Sequence, residues 1–372
     1  MKDLLSNTKL PANRRSFMKM GLAAGGAAMG ARLLAGSTPT VSGPPLSSGD
    51  TAILKFLAAA ELIETDLWQQ YAELGGITPG QLPVETAPFK PMNSYQAAFM
   101  NLDPDGPQYI TSNTLDEQSH AAFLNAYLIA KGQEPVDLDA FRTLPGSQAR
   151  GAQQIGRLTN LMQLSVDTSW YTRYRSTTNP DFGAQFAQAL PQLAAGEFTA
   201  IPINDDDFKN ADHIQAIANT AAFHFGSIEQ GGSSLYPTLA QKVSSVEVLR
   251  ILLSIGGDEI AHFLEWVDFS GNSVQPPLAP LTDPTNGLTF PNFDVTVNPL
   301  LETNLIFPVA CEFISAGLPR CAVIRPTSQG QTDAVGAANF LIGEGLFIGQ
   351  PPRFTELLLN LARAADAAQR QM

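Results

Sequence analysis

Two short stretches, DEQSH at 116–120 and DEIAH at 258–262, share one spacing: in each, a glutamate precedes a histidine by three positions. The chain has only four histidines in its 372 residues, so half of them follow a glutamate at this distance. Residues three apart lie on one face of a helix, about 5–6 Å apart at Cβ, so both side chains can bind one ion. The residues are Glu117, His120, Glu259 and His262. One Glu-x-x-His is a weak signal, so a metal site requires carboxylates from elsewhere in the chain.

The composition is that of a globular protein with a sizeable core. Hydrophobic residues make up 44% of the chain and charged residues only 15%, which argues against disorder throughout. The formal net charge of −13 argues against nucleic-acid binding, because that function requires a basic face to neutralise phosphates. We therefore expect no nucleic-acid partner.

The first residues differ from the rest of the chain. Arg14 and Arg15 precede a weakly hydrophobic run rich in Gly and Ala, a pattern typical of a twin-arginine export signal. The alternative is a short membrane anchor, but the run contains Arg32 and falls short of the roughly 20 strongly apolar residues that span a membrane. We interpret residues 1–36 as the signal and 37–50 as a flexible linker.

An export signal implies a partner and a destination. The partner is the twin-arginine translocase, which moves proteins that are already folded and often loaded with a cofactor, and the destination is periplasmic or extracytoplasmic. The only two cysteines, Cys311 and Cys321, could form a disulfide in such an oxidising compartment or remain two thiols. Both alternatives stay open at the level of sequence.

The middle of the chain has helical periodicity. Four stretches place apolar residues at the three-and-four spacing of amphipathic helices: 51–74, 112–131, 212–236 and 244–269. The first ends at a Gly-Gly pair, and Pro237 is expected to kink or end the third. The connection over 133–211 is long, and a further helix is predicted within it at 147–176.

The first and third helical stretches supply the missing carboxylates. Glu61 lies close to an apolar stripe, where an unpaired carboxylate is costly, and Glu229 lies in a nearly uncharged stretch. With the two Glu-x-x-His pairs they complete the pattern of a bundle that binds two iron or manganese ions. Four carboxylates balance the charge of two divalent ions. A register slip that replaces Glu61 by Glu64 remains open, since Trp68 follows the first by seven positions and Tyr71 follows the second.

Several pieces of the sequence resemble the ferritin-like superfamily, in particular its exported branch that includes desiccation-related proteins. They lie within 51–270 and read AELIETDLW, EQSHAAFLNAYL, IEQGGSSLY and GGDEIAHFLEW. The resemblance implies a mainly α fold: a four-helix bundle over 51–270 with a long crossover between its second and third helices. It also implies two bound iron or manganese ions with the ligands Glu61, Glu117, His120, Glu229, Glu259 and His262. Two features depart from the family: Trp68 stands where many members have Tyr, and the long crossover argues against a 24-subunit cage.

The resemblance leaves two classes of function. One is an oxidoreductase of the ferroxidase or peroxidase/catalase type, which oxidises Fe(II) or Mn(II) or reduces dioxygen or peroxide in oxidative or desiccation stress. The other is a non-catalytic envelope stress or interaction protein that uses the bundle and its metal structurally. Retention of all six ligand types in order favours the first class, because a purely structural bundle would gain from apolar replacements.

The remaining features carry less information. Residues 271–372 are interpreted as an appended mixed or irregular region with short β-like runs. Its last segment, 352–370, is amphipathic and suited to pack back on the bundle or against another subunit, so a homo-oligomer is one of two outcomes. His213 is expected to be a capping or surface group, and His224 a core residue or one that supports the ligands.

Overall fold

The computed structural model describes most of the chain, and the described residues are mainly helical, which confirms the predicted mainly α fold. The described ranges are 43–76, 93–100, 102, 106–173, 186–270, 280–293, 310, 315–321 and 333–371. The predicted export signal, residues 37–42 of the predicted linker and Cys311 lie outside them, so the disulfide question is not addressed by these ranges. In the described ranges, no helix combines the length and the apolar character needed to cross a membrane.

Eight α-helices and one small hairpin form the described structure. The helices are α1 (Ser48–Gly75), α2 (Gly106–Ala130), α3 (Ser169–Arg173), α4 (Pro191–Ala195), α5 (Ala211–Ala240), α6 (Val246–Asp268), α7 (Ala334–Gly343) and α8 (Pro352–Asp366). Short 3-10 turns lie at Asp139–Phe141 and Asp205–Lys209. The hairpin pairs β1 (Leu281–Thr282) antiparallel with β2 (Thr289–Phe290), with Leu281 opposite Phe290.

Four long helices dominate the packing: α1 lies against α2, and α5 lies against α6. Three of them start at a side-chain cap: Ser47, Asn210 and Ser245 each accept a hydrogen bond from backbone N–H groups of the first turn of α1, α5 and α6. Such caps satisfy donors that have no partner within the helix. Helix α1 begins at Ser48, inside the stretch predicted to be linker.

The two C-terminal helices pack on the same chain. Helix α8 lies along α1 and α7, which is the first of the two outcomes considered for the segment 352–370. The carboxylate of Asp366 accepts hydrogen bonds from the backbone N–H groups of Ala334 and Val335 at 3.0 and 2.8 Å. The end of α8 therefore fixes the start of α7.

The prediction of a helix over 147–176 is wrong. In the described part of that stretch, 147–173, only Ser169–Arg173 is helical, and the preceding residues form turns and isolated bridges that pair Leu144 with Arg157 and Leu164 with Phe198. The buried carboxylate of Asp66 on α1 accepts hydrogen bonds from the backbone N–H groups of 158 and 159 at 3.0 and 2.9 Å. Because these donors bond to another helix, tertiary contacts replace the local helical ladder.

Helix α5 continues through Pro237 to Ala240, so the proline does not end it where the sequence suggested. Proline costs one backbone hydrogen bond in a helix interior. Nearly every side chain from Ala216 to the end of α5 is buried, and packing on both sides of the helix offsets that loss.

Candidate metal centre

The structure brings the six residues of the predicted site together between the four long helices. Each is at most 7% exposed. Helices α1 and α5 contribute one carboxylate each, whereas α2 and α6 contribute a Glu and a His one turn apart. The six are Glu61, Glu117, His120, Glu229, Glu259 and His262.

These side chains form two overlapping groups whose possible ligand atoms all lie within 4.8 Å of one another. Glu117 and Glu259 belong to both groups. The first group adds Glu61 and His120, and the second adds Glu229 and His262. Two neighbouring positions thus each have one terminal carboxylate, one histidine and two shared carboxylates.

Both histidines turn Nδ1 toward the carboxylates. The Nδ1 atom of His120 lies 3.4 Å from Glu61 Oε2, 3.3 Å from Glu117 Oε2 and 3.7 Å from Glu259 Oε1. The Nδ1 atom of His262 lies 3.1 Å from Glu117 Oε1 and 3.3 Å from Glu229 Oε2. Each imidazole therefore presents one nitrogen to the centre of the cluster.

The opposite ring nitrogens meet two aspartates. His120 Nε2 lies 3.2 Å from Asp258 Oδ2, and His262 Nε2 lies 3.4 Å from Asp116 Oδ2. Both aspartates are partly exposed. A carboxylate that accepts Nε2–H fixes the tautomer in which Nδ1 is a free lone pair, as a metal-binding histidine requires.

Other side chains donate hydrogen bonds to the terminal carboxylates. The Tyr236 hydroxyl donates to Glu61 Oε1, and Trp68 Nε1 donates to Glu229 Oε1 at 2.8 Å. The two terminal carboxylates are thereby oriented by residues on α5 and α1, respectively.

Asn113 on α2 links the carboxylates of Glu117 and Glu229 to the aromatic core. The Asn113 side-chain NH2 donates to Glu117 Oε1 at 2.9 Å and to Glu229 Oε1 at 3.1 Å. Its carbonyl oxygen accepts from Trp266 Nε1 at 2.7 Å, and the Trp266 ring stacks on Trp68 with centroids 5.4 Å apart. The indole of Trp266 thus fixes which side of the amide faces the carboxylates.

Several carboxylate oxygens in the cluster have no hydrogen-bond donor. Buried oxygens without a partner in the described structure are Oε2 of Glu61, Oε2 of Glu229 and both oxygens of Glu259. Leaving such atoms dry and unpaired is expensive unless a cation binds them. The donor set of carboxylates and imidazoles, without thiolates, suits iron or manganese. The residues present therefore fit a pair of such ions.

A glycine makes room for one of these carboxylates. Helix α5 passes so close to Glu259 that a Cβ at Gly232 would clash with Oε2. At the neighbouring Gly231, an added Cβ would meet nothing within 4 Å. The position of the Glu259 carboxylate therefore requires a glycine at 232 but not at 231.

Burial and crowding perturb the protonation of the cluster. Burial, together with the charges of Glu229 and Glu61, raises the pKa of Glu117 to about 8. Burial, together with the charges of the neighbouring glutamates and of Glu117 above all, raises the pKa of Glu259. Burial alone lowers the pKa of His120, but hydrogen bonds to Glu117 and Glu61 outweigh it and raise the pKa to about 11. Without cations the cluster retains protons that ions would displace.

The two registers considered for α1 are distinguished by position. Glu61 belongs to the first group, whereas Glu64 belongs to neither and lies one turn away, partly buried. Burial and the charges of Glu117, Glu61 and Glu229 raise its pKa. Glu64 is thus an additional carboxylate beside the cluster.

The other two histidines lie elsewhere. His213 is near the start of α5 as expected but is buried, with Nδ1 2.7 Å from Asp283 Oδ2. It ties the hairpin segment to α5 and is not a surface group. His224 is buried, and its Nδ1 lies 2.5 Å from the Tyr71 hydroxyl.

Sequence reasoning missed Asp116, Asp258, Asn113 and Tyr236. For the two aspartates a signal was present, because Asp immediately precedes Glu in both DEQSH and DEIAH. Asn113 precedes Glu117 by four positions and so shares its helix face. Tyr236 follows Glu229 by seven positions, the spacing that separates Trp68 from Glu61, but its contact with Glu61 depends on how α5 lies against α1.

Comparisons with known proteins give no match. No protein-family model matches the sequence, and no curated protein and no solved structure is significantly similar to it. Inferences about function therefore depend on the site itself.

Proposed function

We propose that this chain is a ferritin-like four-helix-bundle protein of the carboxylate-bridged di-metal class, with two iron or manganese ions bound between α1, α2, α5 and α6. The observation that carries the proposal is the set of buried carboxylate oxygens without hydrogen-bond donors, contributed by three different helices and facing two inward-turned imidazoles. Buried carboxylates without partners destabilise the folded state, and a bound cation removes that penalty.

The overlap of the two groups assigns a role to each residue. Glu117 and Glu259, common to both groups, would be the bridging carboxylates. Glu61 and His120 would complete one ion site. Glu229 and His262 would complete the other. This division is the one found in di-iron and di-manganese bundles.

Bound iron or manganese would supply one-electron oxidation and reduction toward dioxygen or hydrogen peroxide. The protein's own residues hold and orient the ligands. Tyr236 and Trp68 each bond one oxygen of a terminal carboxylate and leave the other free. With ions bound, Asp116 and Asp258 would accept the Nε2–H groups of the histidines and leave the Nδ1 lone pairs directed at the cluster. Burial of all six ligands limits the access of water to them.

The cellular setting is proposed from the N-terminal sequence. Arg14 and Arg15 support export by the twin-arginine translocase to a periplasmic or extracytoplasmic location. A metal site that is assembled before export agrees with that route. An oxidative or desiccation stress role follows from the resemblance to exported ferritin-like proteins.

Elemental analysis of protein purified from the exported fraction tests the metal. We expect about two Fe or Mn per chain, lost in the Glu229→Ala and His262→Ala variants. The matched control is His213→Ala, at a buried histidine outside the cluster, and this variant should retain the metal. Protein that holds no transition metal, and gains none on reconstitution with Fe(II) or Mn(II), would refute the proposal.

Stopped-flow absorbance tests the reaction. After mixing with air-saturated or peroxide-containing buffer, Fe(II)-loaded wild type should develop ferric absorbance faster than Fe(II) alone, and Glu117→Ala and Glu259→Ala should lose this effect. If the wild type binds metal but oxidises it no faster than these variants, the metal has a structural role and the protein belongs to the non-catalytic class.

A further inference from the structure

A cavity of about 410 Å³ lies against the cluster, between α1, α5, α7 and α8. Its size falls within the range of small-molecule sites in proteins. Glu61, one of the cluster carboxylates, lines the cavity. Asn339 on α7, which is exposed, lines it as well. The lining therefore includes both a cluster carboxylate and a surface residue.

The walls of the cavity are mostly apolar, with carboxylates and a few neutral polar side chains among them. Phe56, Phe340 and Leu358 contribute large apolar surfaces. Among the described residues that line the cavity there is no Lys or Arg, whereas Glu64 and Asp167 line it together with Glu61. An anionic molecule would meet carboxylates without a compensating cation, which is unfavourable.

Glu64 is the side chain best placed to contact an occupant. Among the described residues, no hydrogen bond reaches its carboxylate. By contrast, Glu61 accepts from Tyr236, and Asp167 accepts from Gln188 at 2.8 Å. A partly buried carboxylate without a donor can accept a hydrogen bond from a ligand.

Gly231 keeps the cavity open. It lines the wall on α5, and a side chain there would extend into free space because nothing lies within 4 Å of an added Cβ. Glycine in a helix interior costs roughly 0.5–1 kcal/mol relative to Ala. Its neighbour Gly232 is explained by the approach of Glu259, but that explanation does not extend to Gly231.

We propose that this cavity binds a small organic molecule that has an apolar body and one neutral or cationic hydrogen-bond donor, with the donor bonded to Glu64 and the body held between α5, α7 and α8. This small-molecule site goes beyond the proposed metal function, because the molecule binds without a metal ion. A molecule held there would lie next to the cluster.

Three probes of one shape test the proposal on the full chain without added metal: benzylamine, benzyl alcohol and benzoate, followed by ligand-observed saturation-transfer NMR and calorimetric titration. The amine and the alcohol should bind at least about tenfold tighter than benzoate, whose charge meets no Lys or Arg among the described lining residues. Glu64→Gln should weaken the amine more than the alcohol. Equal binding of benzoate, or no binding of any probe at millimolar concentration, would overturn the proposal.

Variants at two glycines locate the site. Gly231→Phe should fill the cavity and weaken amine and alcohol by about tenfold or more. Gly257→Phe, at a glycine on α6 that also has free space around it and does not line the cavity, should bind like the wild type. Circular dichroism and thermal melting verify folding, and Gly231→Leu replaces the larger variant if that one misfolds. Wild-type binding by a folded Gly231 variant would place the ligand elsewhere.

A measurement on Mn(II)-loaded protein relates the cavity to the cluster. Protons of the bound alcohol should show paramagnetic broadening that Gly231→Phe abolishes. Binding without metal uptake would leave the cavity site intact and refute the metal proposal alone. Metal uptake without probe binding would refute only the cavity site.

Discussion

Asp258 lies on α6, yet its Oδ2 lies 3.2 Å from Nε2 of His120 on α2. The reverse contact, from Asp116 on α2 to His262 on α6, measures 3.4 Å. Each aspartate thus contacts the histidine of the other DExxH stretch, so the two helices orient each other's histidines. Removing one aspartate should disturb a ligand on the opposite helix.

We therefore expect Asp258→Asn to weaken metal binding about 10–100-fold, with the melting temperature of the metal-free protein nearly unchanged because the aspartate is partly exposed. Competition with a chromophoric chelator measures the affinity. Asp206→Asn, an exposed acid remote from the cluster, is the control. Unchanged affinity in Asp258→Asn would mean that the crossed contacts do not orient the histidines.

The paired glycines of α5 give a second prediction. Gly232→Ala should abolish or strongly weaken metal binding, because the new methyl group takes the space of Glu259 Oε2. Gly231→Ala should retain the metal and raise stability by roughly 0.5–1 kcal/mol, since alanine is the better helix former. Metal content and chemical denaturation measure both effects. Equal metal content in the two variants would contradict the close approach of Glu259 to α5.

The stability of the metal-free protein should fall as pH rises. The pKa of Glu117 is raised from 4.5 to about 8 in the fold, so the folded state holds a proton that the unfolded chain releases. This contribution is fully present below the unfolded pKa and is lost as pH rises through the folded pKa. Between about pH 5 and about pH 8 we expect the melting temperature to drop by roughly 5 °C.

Two comparisons make the pH prediction specific. Metal-loaded protein should show the opposite trend, because ligands must lose protons to bind a cation. Glu117→Gln should flatten the pH dependence of the metal-free protein and raise its melting temperature near pH 8, since one crowded carboxylate is gone. Calorimetric melts measure each case. A metal-free wild type that becomes more stable toward pH 8 would show that the cluster does not retain protons.

Trp68 should matter for metal binding beyond its part in the core. Trp68→Phe removes the donor to Glu229 and should weaken metal binding about tenfold or more. Trp170→Phe is a matched control: that indole is equally buried and donates to the Phe223 carbonyl, away from the cluster. Both variants should lose about 1–3 kcal/mol of stability. If metal affinity falls equally in both, the effect is one of packing.

The proposed export route is tested at the N-terminal arginines, which lie outside the described residues. Changing Arg14 and Arg15 to Lys should leave the precursor in the cytoplasm, because the translocase recognises the twin arginines. Cell fractionation with detection of the protein measures this. Equal yield of the Lys-Lys variant in the exported fraction would show that the segment is not a twin-arginine signal.

The sequence by itself determined the four long helices and the spacing that places Glu117 with His120, and Glu259 with His262, on single helix faces. These features are local, because helical periodicity fixes which neighbours share a face. Local patterns failed at 147–168, where Asp66, far away in sequence, binds the backbone. Only the tertiary structure decided that Glu61 and not Glu64 joins the cluster, and that the aspartates cross between helices. Those relationships depend on the rotation and separation of packed helices, which no single helix specifies.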